Sequence, residues 1–132
     1  MTTELNAIGS STGKAISAAF DNSSDLDLFA DLELSVTFAS SPVAGAVVEL
    51  YLLPSIDGGT SYADGSASIL PQSSLFVGGF AVRAVTTAQK MILRGVALPP
   101  GFYKYLVQNT TSQAFPATGS TLEANNYQLQ SV

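Results

Sequence analysis

The sequence predicts an all-β domain: an antiparallel β-sandwich, jelly-roll-like, with seven or eight strands. Three observations carry that expectation. From Leu26 to Phe38 the residues alternate between two faces, the period-2 signature of a half-buried strand. Turn signals made of Gly, Pro, Asn, Asp and Ser recur along the chain at the spacing of roughly 8 to 12 residues that marks sandwiches and barrels. No stretch keeps a helical period, and no internal repeat is visible.

Residues 1 to 11, small and polar, read as an arm that stays mobile unless a partner holds it. A weak first strand follows near Lys14 to Phe20, and the run Asp21 to Asp25 has the Asx and Ser chemistry of a turn. The domain division is therefore an N-terminal arm with a possible first strand over 1–20 and one sandwich domain over 21–132.

In the sharp alternation, Leu26, Leu28, Ala30, Leu32, Leu34, Val36 and Phe38 share one face. Asp27, Phe29, Asp31, Glu33, Ser35 and Thr37 share the other. A helical period would scatter those acids around a cylinder. Extended, this segment would span roughly 43 Å, against a radius of gyration of about 14 Å for such a domain. A bend or bulge inside it is expected.

Ser40 to Gly45 is a turn, with Pro42 and Gly45 as its punctuation. Ala46 to Leu53 is rich enough in Val, Leu and Tyr to be covered on both sides, and Pro54 ends it. Ser55 to Ser66 reads as a long loop around Tyr62, and Ser68 to Ser74 as a crossing between sheets. Leu75 to Val85 is a strand in which Gly78 and Gly79 mark a bulge or a close backbone approach. After a turn at Thr86 and Thr87 comes Ala88 to Leu98. Its pattern sets Lys90, Ile92, Arg94 and Val96 on one side, with Met91, Leu93 and Ala97 on the other. Pro99 to Gly101 turns stiffly into Phe102 to Asn109, where Tyr103, Tyr105 and Val107 share a face. Gln113 to Ala117 is placed at an edge, and Thr121 to Val132 supplies the last strand.

At 132 residues the chain fits one domain. It is 46% hydrophobic but only 11% charged, well under the roughly 25% of a typical soluble domain, so Ser, Thr, Asn and Gln must cover much of the surface. The net charge is −5. Lys14, Arg83, Lys90, Arg94 and Lys104 form no dense cluster in the sequence, which argues against nucleic acid and against anionic membranes as partners. The absence of Cys leaves no disulfide framework to read. Residues 1 to 25 hold no apolar signal region, and no run is long enough for a membrane-spanning helix.

With neither His nor Cys in the chain, the common nucleophile–base pairs and nitrogen- or sulfur-ligated zinc sites are not expected. Carboxylates remain. Asp27, Asp31 and Glu33 project from one strand face and could serve glycoside hydrolysis; the simpler reading is that they solvate that face and blunt edge pairing. Oxygen-rich DNSSDLD (21–27) and IDGGTSYADG (56–65) could hold calcium, but neither has EF-hand spacing, and Asp and Gly in loops are above all turn formers. Gly78 and Gly79 precede no helix, so no phosphate loop is read. Tyr51, Tyr62, Phe76, Phe80, Phe102, Tyr103 and Tyr105 could make a contact patch for protein or sugar, although most aromatics of a sandwich are core. No catalytic, cofactor-binding or metal residue is assigned, and no enzyme is expected.

The segments DLFADLELSVTFASSPVAGAVVELYLLPSIDGGTSYADG (27–65) and FVGGFAVRAVTTAQKMILRGVALPPGFYKYLVQN (76–109) resemble a recurrent family of small proteins of tailed bacteriophages, over residues 25 to 132. The resemblance implies a structural virion protein without catalytic residues, most like a head decoration (cement) protein. Such a protein would bind the major capsid protein and copies of itself, as a homotrimer or other symmetric cluster, in particles assembled in the host cytoplasm. A tail, connector or head-fibre component and a carbohydrate-binding module are the alternatives.

Overall fold

The computed structural model describes residues 1–129, in which eight strands form two antiparallel sheets around one main core. The strands are β1 (Gly13–Ile16), β2 (Phe20–Asp21), β3 (Phe29–Val36), β4 (Val47–Pro54), β5 (Phe76–Ala81), β6 (Gln89–Ala97), β7 (Phe102–Asn109) and β8 (Thr121–Tyr127). The larger sheet has the order β1-β7-β4-β5, with β2 also pairing with β7; the smaller has the order β6-β3-β8. The all-β sandwich expected from the alternation is the fold observed.

β3 is the centre of the smaller sheet. Its inward residues Ala30, Leu32, Leu34 and Val36 are buried, followed by Phe38 just beyond the strand. They meet Val48, Leu50 and Leu52 of β4 and Tyr103, Tyr105 and Val107 of β7 in one core. The strand is shorter than the alternation suggests. Leu26 adopts a positive φ of 50°, which a β-strand does not allow, and both Leu26 and Leu28 are exposed. Pairing begins only at Phe29.

The expected bulge lies across from β3, in its partner. Ala30 pairs with Val96 but Leu32 pairs with Leu93, so β6 carries one extra residue. Gly95, at φ +66°, takes the left-handed conformation such a bulge needs and that glycine adopts without strain. An added residue reverses the faces of everything beyond it. Hence Gln89, Met91 and Leu93 point inward on one side of the bulge and Val96 on the other, while Ala97 is exposed. Strict alternation had assigned Val96 and Ala97 to the opposite faces.

β4 is covered on both sides, as its composition predicts. Tyr51 and Leu53 on its outer face form a second, smaller core with Leu106, packed by Ile16, Tyr62, Ala63 and Leu75. Residues 55–75 supply much of that cover. They do not cross between sheets, because the strands they join, β4 and β5, pair with each other. At Gly78 the backbone approaches Leu93 so closely that an added Cβ would lie 2.9 Å from its methyl groups, and the register slips by one residue beside it.

Residues 1 to 11 are packed onto the sandwich, where composition alone suggested a mobile arm. Leu5 and Ile8 are buried in the main core. Met1 exchanges backbone hydrogen bonds with Leu122, donating at 2.8 Å and accepting at 2.9 Å. Ala7 donates to the Pro116 carbonyl and Phe115 to that of Ile8, so the 113–117 segment pairs with the N-terminal residues although it forms no assigned strand. Asn109, fully buried, donates through Nδ2 to the Gly9 and Gln113 carbonyls. The final strand ends at Tyr127; the remainder of its expected range includes residues 130–132, outside the described residues.

Candidate interaction surface

The fold separates the three carboxylates that the sequence placed on one strand face. Asp27 lies before β3, in a loop organised by Asn22. The Asn22 amide donates to the carbonyls of Asp27 (2.9 Å) and Pro99 (3.0 Å), and its Oδ1 accepts from the Asp27 N–H (2.8 Å). The 21–27 segment is thus closed by an asparagine, and Asp21 accepts from the Ser23 N–H as a turn former does.

Asp31 and Glu33 do stand on the outer face of β3. Asp31 accepts hydrogen bonds from the Gly95 N–H (2.9 Å), Arg94 (3.3 Å) and the Tyr127 hydroxyl (3.3 Å). The Gly95 N–H first, then Arg94 and Tyr127, hold its carboxyl below the usual range. A glycosidase acid needs the opposite shift. Glu33 pairs with Lys90 at 2.7 Å. Around them lies a shallow, open depression of about 400 Å³ that also involves Ile92, Arg94, Glu123 and Asn125.

The other oxygen-rich loop closes on Asp57, whose carboxylate accepts from the Ser55 hydroxyl, the Thr60 N–H and the Ser61 N–H and hydroxyl. These bonds, those of Ser61 foremost, lower its pKa to about 2. Such a group stabilises the folded loop above the ordinary aspartate value of about 4, and that contribution is lost as pH falls through about 2. The protection of the Ser61 amide, the slowing of its exchange relative to that of an unstructured chain at the same pH, is therefore expected to fall as pH drops from about 4 to about 2, and Asp57→Asn to abolish that dependence; hydrogen exchange followed by NMR checks both.

The aromatic set also divides. Tyr51, Phe80, Tyr103 and Tyr105 are buried. Tyr62 and Phe102 are half-buried, with the Lys104 ammonium 4.2 Å from the Tyr62 ring centre. Of the seven, Phe76 alone is exposed, packed edge-on against Tyr51. The Tyr51 hydroxyl donates to Glu49 at 2.8 Å; burial, then that carboxylate, push its pKa up to about 12.

What the sequence reading missed is the outer surface of the 55–76 excursion. It packs half-buried Tyr62 and Ala63 against β4 and β7 but turns other apolar side chains outward. Ile56 is 100% exposed, Ile69 58%, Leu70 47% and Phe76 46%. The only local signal was the Ile69–Leu70 pair, set in Ser- and Pro-rich surroundings with no strand alternation to bury it.

No protein-family model, curated protein or solved structure matches the chain.

Proposed function

We propose that the protein is a non-catalytic structural subunit of a phage virion that seats on the capsid exterior and reinforces it, contacting the major capsid protein and neighbouring copies of itself. The observation that carries this reading is the 55–76 excursion, where four large apolar side chains face solvent in a chain with only 11% charged residues. Exposed apolar side chains grouped on one segment suit a protein contact, and an interface core is depleted in charge. The resemblance of 27–65 and 76–109 to small tailed-phage proteins supplies the particle. The N-terminal residues, held by buried Leu5 and Ile8, and the 55–75 cover, packed on the larger sheet through half-buried Tyr62, Ala63 and Leu75, suit a subunit that must withstand proteolysis outside a cell.

Covering the exposed part of each such side chain is worth about 1 kcal/mol. The double variant Ile69→Ser/Leu70→Ser is therefore expected to weaken docking by about 2 kcal/mol, roughly 30-fold in affinity. Its own unfolding should barely move, since both positions are exposed. Titration of particles lacking the protein with wild type and variant reads this directly. Equal occupancy by both, at limiting concentrations, would remove the excursion from the interface.

A further inference from the structure

β8 is an edge strand, and its free side is only partly occupied. Leu122 gives both its N–H and its C=O to Met1. Backbone groups in an antiparallel strand alternate in direction, so those of Ala124 and Asn126 point the same way, outward from the sheet. Among the described residues no strand pairs with that side, and residues 123 to 126 are all exposed. An open edge is a template for one more strand.

Two further features lie beside it. Under the edge, between the sheets, opens a cleft of about 370 Å³ lined by Met1, Phe20, Leu32, Tyr105, Leu122 and Ala124. Tyr105, in the wall of this cleft, is 1% exposed. On the outer face Glu123 sits directly opposite Glu33, a like-charge juxtaposition that weakens a sheet. Lys90 bonds to Glu33 and Arg94 to Asp31, leaving Glu123 without an ion pair among the described residues.

We infer that the open edge of β8 accepts an extended segment of a partner protein as a fourth strand, with basic side chains on the outer face beside Glu123 and apolar side chains entering the cleft. Strand geometry requires that alternation, because successive side chains of the added strand fall on opposite faces. Charge decides between occupants. The β8 sequence TLEANNY has no Lys or Arg, so a second copy pairing through its own β8 would bring another Glu123 and no cation. A basic segment relieves the carboxylate pair.

The site is separate from the 55–76 excursion, and its test needs no virion, so either reading can fail without the other. The probe is a capped heptapeptide of alternating Val and Lys, with the Val–Glu counterpart as control, titrated into the full chain under NMR observation. The Val–Lys peptide is expected to slow exchange of the Ala124 and Asn126 amides by about tenfold or more, and the Val–Glu peptide to leave them unchanged. Asn126→Pro removes an outward donor and spares the ladder to β3, and should abolish the protection. Glu123→Gln should weaken it several-fold and serves if the proline variant fails to fold. No protection by the Val–Lys peptide, or equal protection by both peptides, overturns the inference. So does slow exchange of both amides in the free protein together with a dimer in sedimentation, which would assign the edge to a second copy.

Discussion

Leu34→Ala is expected to lower the unfolding free energy by about 3–5 kcal/mol. Leu34 is fully buried, in the central strand of the smaller sheet, between Met91 of β6 and Leu122 of β8. Its side chain belongs to the core that joins the sheets, with a paired strand on either side to resist collapse into the void. The loss is the transfer free energy of the deleted methyl groups plus the residual cavity. Glu33→Gln, one residue away, removes only an ion pair whose Lys90 partner is largely exposed, and should cost less than about 1 kcal/mol. Chemical denaturation of both variants, at unchanged slope, measures the contrast. Similar losses in the two would mean that β3 does not present these faces.

Asn22→Ala should cost about 2–4 kcal/mol. Asn22 is 2% exposed, and its amide satisfies the Asp27 N–H and the carbonyls of Asp27 and Pro99. Each such bond contributes about 1 kcal/mol net, and a buried group left unpaired costs more. Asn22→Asp keeps the acceptor for the Asp27 N–H but sets a carboxylate against two carbonyl oxygens, so it should not restore stability. Thermal unfolding of the pair provides the check. Recovery by the aspartate variant would show that the two donated hydrogen bonds are unimportant.

These two residues also mark what was legible in the sequence. The inward set Ala30 to Val36 follows from period 2 alone, and covering β4 on both faces follows from its run of Val, Leu and Tyr. Both depend on local pattern and burial, which composition records. Leu26 and Leu28 continue the same pattern yet lie exposed, because a long-range bond from Asn22 to Pro99 and the positive φ at Leu26 turn the chain before the strand begins. Nothing local in the alternation announces that contact. Gly95 was readable in principle: glycine within a strand marks a bulge, the inference already drawn for Gly78 and Gly79. The docking of residues 1–11 was not, since Leu5 and Ile8 are isolated apolar residues whose burial depends on Asn109 and Phe115, a hundred positions away.

The candidate surfaces were less legible still. The three acids share a face in sequence, but Asp27 leaves with the Asn22 loop, and Asp31 is engaged by the bulge amide of Gly95. Exposure of Ile69 and Leu70 depends on which side of the 55–75 cover meets β4, a tertiary choice with no sequence period. The open edge of β8 depends on strand order, and on Met1 stopping at Leu122.

Quantitative mass spectrometry of virus particles purified from cells that produce this chain bears most directly on the proposed role. A subunit that decorates and reinforces the head should be present at a copy number comparable with that of the major capsid protein. Absence from the particles, or presence at the few copies typical of a tail or connector, would contradict it.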